Sequence, residues 1–138
     1  MSVRKGDRGE GELDVINASR ELLSYTYDRV RDTNIFPKSD RWLLAKSIWD
    51  CASGARTRIV RANAVRVESK ADAELRISLE KEAVGYLDAL ETLIGLANIK
   101  GLISGDRMEF WEGLLVKTLK PLRGWLKADR ERYRTFLK

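Results

Sequence analysis

Apolar residues recur at three- and four-residue steps in four long stretches of the chain. Between residues 12 and 34, Ile16, Leu23, Tyr27 and Val30 fall on one stripe, with Leu13 and Leu22 beside it. Residues 40–67 repeat the pattern with Leu44, Ile48, Ala52, Ala55, Ile59 and Ala62. Residues 70–99 do so with Ile77, Ala83, Leu87, Leu90, Ile94 and Ala97, and 105–136 with Trp111, Leu115, Leu119, Leu122, Leu126 and Tyr133. These steps match the 3.6-residue repeat of a helix, and none alternates as a strand does. The expected fold is all-α. At 1.5 Å per residue the four helices would be roughly 33–47 Å long. Helices of similar length on short links pack best as an antiparallel up-down four-helix bundle, expected here over residues 12–138.

The links agree with that count. Pro37 disfavours helical backbone at Phe36, which ends the first helix, and Ser39 is placed to cap the second. Ser69 and Asp72 form a short capping box at the start of the third helix. Gly101 and Gly105 punctuate the last link, with Ser104 as N-cap and Asp106 favoured by the helix dipole. Pro121 lies inside the fourth pattern and predicts a bend or break near Lys117–Lys120. Residues 1–11 carry three glycines and almost no apolar side chains, so a disordered tail is expected there.

Charge divides the chain into blocks. The net charge is +5, but residues 40–69 carry six basic and three acidic groups, and residues 117–138 carry eight and two. Residues 70–116 are net acidic between them. A clustered basic field attracts polyanions, so these two blocks are the first candidates for a functional surface.

Composition narrows the chemistry. The chain has no histidine, so the commonest general base and metal ligand is missing. Its one cysteine, Cys51, has no internal partner and lies among Ile48, Ala52 and Ala55, as a structural thiol would. Carboxylate pairs such as Glu80 with Asp72 and Asp88 with Glu91 lack the Glu-x-x-His motif of a di-iron bundle. Gly101–Gly105 lacks the Lys-Ser/Thr ending of a phosphate loop. The sequence therefore points to no enzyme, no metal and no cofactor. No apolar stretch approaches the roughly 20 residues of a membrane span, and the polar start lacks a signal peptide's apolar run. A cytoplasmic protein with no membrane partner is expected.

Four tryptophans stand out. Trp42 and Trp49 are seven residues apart, to one side of the Ala-rich stripe of the second helix, where a second apolar strip would suit an oligomer interface. The small residues Ala52, Ser53, Gly54 and Ala55 admit another helix closely, from the bundle or from a neighbouring protomer. The basic positions are Arg56, Arg58, Arg61 and Arg66 on the second helix, then Lys117, Lys120, Arg123, Lys127, Arg130, Arg132 and Arg134 near the end. Phosphate contacts from such residues give affinity without sequence readout, and closing a ring would multiply each protomer's patch.

The stretch Phe36-Pro-Lys-Ser-Asp-Arg-Trp-Leu-Leu-Ala-Lys-Ser-Ile48 resembles the FPK-x-x-R entry to the second helix of a superfamily of small four-helix bundles. Its branches are the proteins encoded by intervening sequences of 23S ribosomal RNA genes and the accessory variability determinant (Avd) proteins of diversity-generating retroelements. Arg61-Ala62-Asn63, Leu93-Ile-Gly-Leu-Ala97, Ile103-Ser104 and Gly124-Trp125 are similar as well, the last pair to the Avd branch. Residues 52–63 lack the Ser-Ile-Pro-x-Asn-Ile-Ala-Glu-Gly stretch of the intervening-sequence branch. The resemblance covers residues 13–128. It implies a non-enzymatic, ring-shaped homopentamer that binds RNA and possibly DNA and associates with a reverse transcriptase during mutagenic cDNA synthesis. The alternative it carries is a structural bundle of the intervening-sequence type with no polymerase partner. Pro121 and the acidic third helix depart from the family pattern, which leaves the second helix and the C-terminal block as the expected nucleic-acid contacts.

Overall fold

The computed structural model describes the backbone of residues 5–138 and the side chains from Gly11 onward. Its helices are α1 (Lys5–Val30), α2 (Lys38–Asp40), α3 (Lys46–Ala64), α4 (Lys70–Ile99), α5 (Gly105–Arg132) and α6 (Arg134–Leu137), with a π-helical turn at Arg41–Ala45 between α2 and α3. No strand occurs among the described residues. None of the described helices is long and apolar enough to cross a membrane.

Four long helices supply the core, and their contacts join α1 to α3, α3 to α4, α4 to α5 and α5 back to α1. Along the first three of these seams, rising residue numbers on one helix meet falling numbers on the next. Arg56 bonds Ile16 and Ser19 while Trp49 packs on Tyr27. Arg58 meets Glu82 while Val65 accepts from Arg76. Arg76 meets Asp129 while Asp88 meets Arg123.

The periodic stripes of the second and third segments go where they are expected. Leu44, Ile48, Ala52, Ala55, Ile59 and Ala62 are all buried, as are Ile77, Ala83, Leu87, Leu90, Ile94 and Ala97. On α5, Trp111, Leu115 and Leu122 are buried and Leu119 and Leu126 are half-buried. The first stripe is displaced by one position: Val15, Ala18 and Leu22 are buried, whereas Leu13 and Tyr27 are exposed. The reason is that two hydroxyls complete this face. Ser19 accepts from Arg56, and Thr26 accepts from the buried Trp111 indole at 3.0 Å, so both lie inside without being apolar. Each fully buried Leu or Ile contributes about 1.5–3 kcal/mol of transfer free energy.

The ends of the helices follow local chemistry. Ser69 accepts from the Asp72 amide at 3.2 Å, and the Asp72 carboxylate accepts in return from the Glu68 amide at 3.0 Å. Ser104 caps α5 by accepting from Arg107. Gly101 has φ of 75°, and the Leu102 amide reaches the Ala97 carbonyl, the six-to-one bond of a Schellman stop. Ser39 is not a cap: α2 begins at Lys38 after Pro37, whose fixed φ suits helix entry, and Ser39 contacts only the Asp40 carboxylate.

Pro121 and residues 5–11 are both helical. Pro121 does not break its helix, because α5 runs unbroken through it. Thr118, Leu122 and Trp125 are buried on both sides of the proline, and that packing holds the two halves together. Residues 1–4 of the expected tail lie outside the described residues, but α1 starts at Lys5, upstream of residue 12. Glycine weakens a helix by about 1 kcal/mol per residue without ending it. An ion pair from Glu12 to Arg76 anchors this end of α1. The small residues of α3 serve the bundle: a Cβ on Gly54 would lie 2.9 Å from the Tyr86 ring of α4.

Candidate nucleic-acid interface

The two basic blocks, far apart in the chain, meet at one end of the bundle. Asn63 through Val67, at the end of α3 and in the link to α4, share a cavity of about 520 Å³ with Glu12, Arg76, Arg132 and Tyr133. Arg66 of the first block and Arg132 of the second therefore line one space.

Beyond the cavity, α5 carries Lys120, Arg123, Lys127 and Arg130, all exposed, at steps of three, four and three residues. A helix turns 100° per residue, so these four fall within one 80°-wide stripe about 15 Å long. Arg61 is exposed on α3. Among the described residues, Arg61, Arg66, Lys120, Lys127 and Arg130 have no carboxylate within ion-pair distance.

The remaining candidates are engaged within the chain. Arg56 is the most committed: its Nη1 donates to the Ile16 carbonyl at 2.6 Å and to Ser19 Oγ at 2.8 Å, tying α3 to α1. Burial, then the nearby Arg20, lowers its pKa from the ordinary value. Arg58 bonds Glu82 at 3.3 Å and lies over the Tyr86 ring at 4.7 Å. Lys117 faces Glu21 at 3.6 Å, Arg123 faces Asp88 at 3.3 Å and Arg134 faces Glu131 at 3.8 Å. Those exposed pairs hold their cations loosely, since such contacts are worth about 0–1 kcal/mol. Arg58 and Arg61, three residues apart on α3, part company: one lies in the α3–α4 seam and the other in solvent.

The two tryptophans also separate. Trp42 is 74% exposed and its neighbour Leu43 80%, because the π-helical turn sends Leu44 and Ala45 into the core and leaves the preceding pair outside. Trp49 is half-buried, edge-on to Tyr27 at 5.8 Å. Cys51 is half-buried, and burial with Asp50 raises its pKa, which suits an unreactive thiol.

Behind the cavity lies a network that periodicity alone did not single out. Arg76 is almost fully buried and bonds through all three guanidinium nitrogens. Its Nε donates to Asp129 Oδ2 at 2.7 Å, Nη1 to the Val65 carbonyl at 3.3 Å and Nη2 to Glu12 Oε1 at 3.2 Å. Its Cζ lies 5.0 and 5.8 Å from the ring centroids of Trp125 and Tyr133. Glu80, fully buried, lies 3.5 Å from the same Nε. Burial, then the hydrogen bond and charge of Asp129, pushes Glu80 up to about 10 from 4.5, so it holds its proton at neutral pH. A protonated Glu80 can donate to Asp129, whose Oδ1 has no hydrogen-bond donor among the described residues. Glu80 is thus paired across the bundle with Asp129, not along its helix with Asp72. The signal was in the stripe: positions 73, 76, 80, 83, 87, 90, 94 and 97 form an uninterrupted three-four repeat, and Arg76 and Glu80 stand in it. Charged residues at core positions announce a buried pair.

Compared with family models, characterised proteins and solved structures, the chain matches none of them.

Proposed function

We propose that this protein is a non-enzymatic, nucleic-acid-binding accessory factor of the Avd type. In this reading its four long helices form an antiparallel up-down bundle that assembles into a ring-shaped homopentamer. The ring binds template RNA, and possibly cDNA, through basic surfaces and associates with a reverse transcriptase to support mutagenic cDNA synthesis in the cytoplasm. One observation carries the reading: the two basic blocks converge on one end, with Arg66 and Arg132 lining the same cavity. The stripe of Lys120, Lys127 and Arg130, unpaired among the described residues, extends that field along α5. With Arg123, held only loosely by Asp88, the cations step along the helix by roughly 4.5–6 Å, which suits successive phosphates read by charge and shape rather than by base edges. The exposed Trp42 and Leu43 support assembly, since an apolar pair this open to water is costly unless a neighbour covers it.

The test is binding of a labelled single-stranded RNA to the purified protein across a salt series, with light scattering on the same samples. The expected result is affinity that falls with log salt at a slope of about −0.7 per phosphate neutralised. The mass should be near five times 15.8 kDa. Co-purification with the reverse transcriptase of a retroelement tests the polymerase partnership. An oligomer that binds no RNA in low salt would remove this function and leave the structural bundle of the intervening-sequence type.

A further inference from the structure

We infer that the cavity between Asn63–Val67 and Arg132–Tyr133 is a receptor for a phosphate monoester, the terminal phosphate of a nucleic-acid strand, and that Glu12 occupies part of it as an internal competitor. The source of the phosphate rests on the nucleic-acid reading above; the anion site itself rests on geometry.

The space is about 520 Å³, enough for a nucleotide end by the usual size of ligand sites. It is built from four parts of the fold: the start of α1, the α3–α4 link, α4 and the end of α5. Three guanidinium groups line it, from Arg66, Arg76 and Arg132, against one carboxylate, Glu12. The polar groups of Asn63 and Tyr133 complete the wall.

The three arginines do different things. Arg76, fixed by Asp129 and flanked by two rings, forms a rigid cationic wall. Arg132 is held only loosely, 3.5 Å from Asp129 and 3.9 Å from Glu12, and Arg66 contacts no carboxylate among the described residues. These two forks can turn to an incoming anion, and a planar guanidinium suits phosphate bidentately. Behind them Glu80 keeps its proton, so only Asp129 and Glu12 offset the three positive charges.

Glu12 bridges Arg76 at 3.2 Å and Arg132 at 3.9 Å through the same oxygen, Oε1. That oxygen stands where a phosphate oxygen would bridge the same two forks. A strand end can enter a recess from one side, whereas an internal phosphodiester brings chain on both sides. A terminal monoester also carries up to two charges where a diester carries one.

The test compares one fluorescent ten-nucleotide RNA bearing a 5′-phosphate, a 3′-phosphate or only hydroxyl ends, and adenosine monophosphate as a competitor. The expected result is about tenfold tighter binding of one phosphorylated form than of the hydroxyl form, the worth of one charge-assisted contact. Arg66→Gln and Arg132→Gln should abolish that difference, while Glu12→Gln should enlarge it, the opposite sign. Circular dichroism of each variant checks that it is folded. Equal binding of all three RNAs, with the usual salt dependence, overturns the pocket and leaves the nucleic-acid reading standing. Binding of the monophosphate without binding of any RNA supports the pocket and overturns that reading. Weaker phosphate discrimination in Glu12→Gln overturns the competitor role.

Discussion

Arg76 Nε lies 2.7 Å from Asp129 Oδ2, a buried ion pair that joins α4 to α5 across 53 residues of sequence. Asp129 is fully buried and Arg76 nearly so. Removing one partner of a buried pair costs about 3–5 kcal/mol, and the 3.2 Å contact from Arg76 to Glu12 holds the loss of Asp129 to the low end of that range. Asp129→Ala should therefore lower unfolding free energy by that amount in urea titration. Glu80→Gln should change it by less than about 1 kcal/mol at or below about pH 4.5, where Glu80 is protonated folded and unfolded alike and glutamine is a neutral donor like the acid it replaces. A loss as large as that of Asp129→Ala would mean that Glu80 is ionised in the fold.

The same proton makes stability depend on pH. Glu80 sits at about 10 in the folded chain and near 4.5 when unfolded, so folding takes up a proton between those values. Stability from this group is complete below about 4.5 and declines as pH rises toward 10. The limiting slope is about 1.4 kcal/mol per pH unit for one proton. Urea unfolding at several pH values from 5.5 to 8.5 should show the parent losing ground to Glu80→Gln with each step. Parallel curves would mean that no proton is taken up at this pair.

Much of the fold is legible in the chain because alternating three- and four-residue steps leave one geometric solution. The stripes of the second and third segments, the Ser69 and Ser104 caps and the Gly101 stop all follow from local rules. The first stripe was displaced because Ser19 and Thr26 occupy core positions through long-range bonds to Arg56 and Trp111, which apolar counting passes over. The basic residues were visible, but their commitments were not. Arg56 reaches Ile16 across 40 residues, and nothing local distinguishes it from the solvent-facing Arg61. The meeting of Arg66 with Arg132 likewise depends on which helix ends come together.

That division of the arginines is itself testable. Arg56→Gln gives up two short bonds to α1, each worth about 1–3 kcal/mol when its partner is left buried. It should lower stability by that order and leave the salt slope of RNA binding unchanged. Lys127→Gln with Arg130→Gln should do the reverse, leaving urea midpoints unmoved and reducing the slope by about 0.7 for each phosphate no longer neutralised. A binding defect confined to Arg56→Gln would place the interface on the α1–α3 seam instead.

Pro121 offers a gain rather than a loss. It cannot donate the amide bond to the Lys117 carbonyl that an α-helix needs, and a proline inside a helix costs about 3 kcal/mol relative to alanine. Its half-exposed position leaves space for the smaller side chain. Pro121→Ala should raise unfolding free energy by about 1–3 kcal/mol, read in the same urea titrations. No gain would mean that the surrounding packing has already absorbed the missing bond.

Assembly is the last quantity that side-chain placement addresses. Trp42 and Leu43 stand 74% and 80% exposed on the π-helical turn, whereas Trp49 is half-covered by Tyr27 within its own bundle. Association through this patch should therefore depend on Trp42 and Leu43 more than on Trp49. Trp42→Ser with Leu43→Ser should reduce the solution mass to that of one 15.8 kDa chain and leave helicity and the urea midpoint of the monomer unchanged. Trp49→Ser should lower stability instead, by removing the edge-on packing against Tyr27, about 0.5–1.5 kcal/mol beyond the effect of its buried area. A mass that resists the double substitution would put the interface between protomers on another surface.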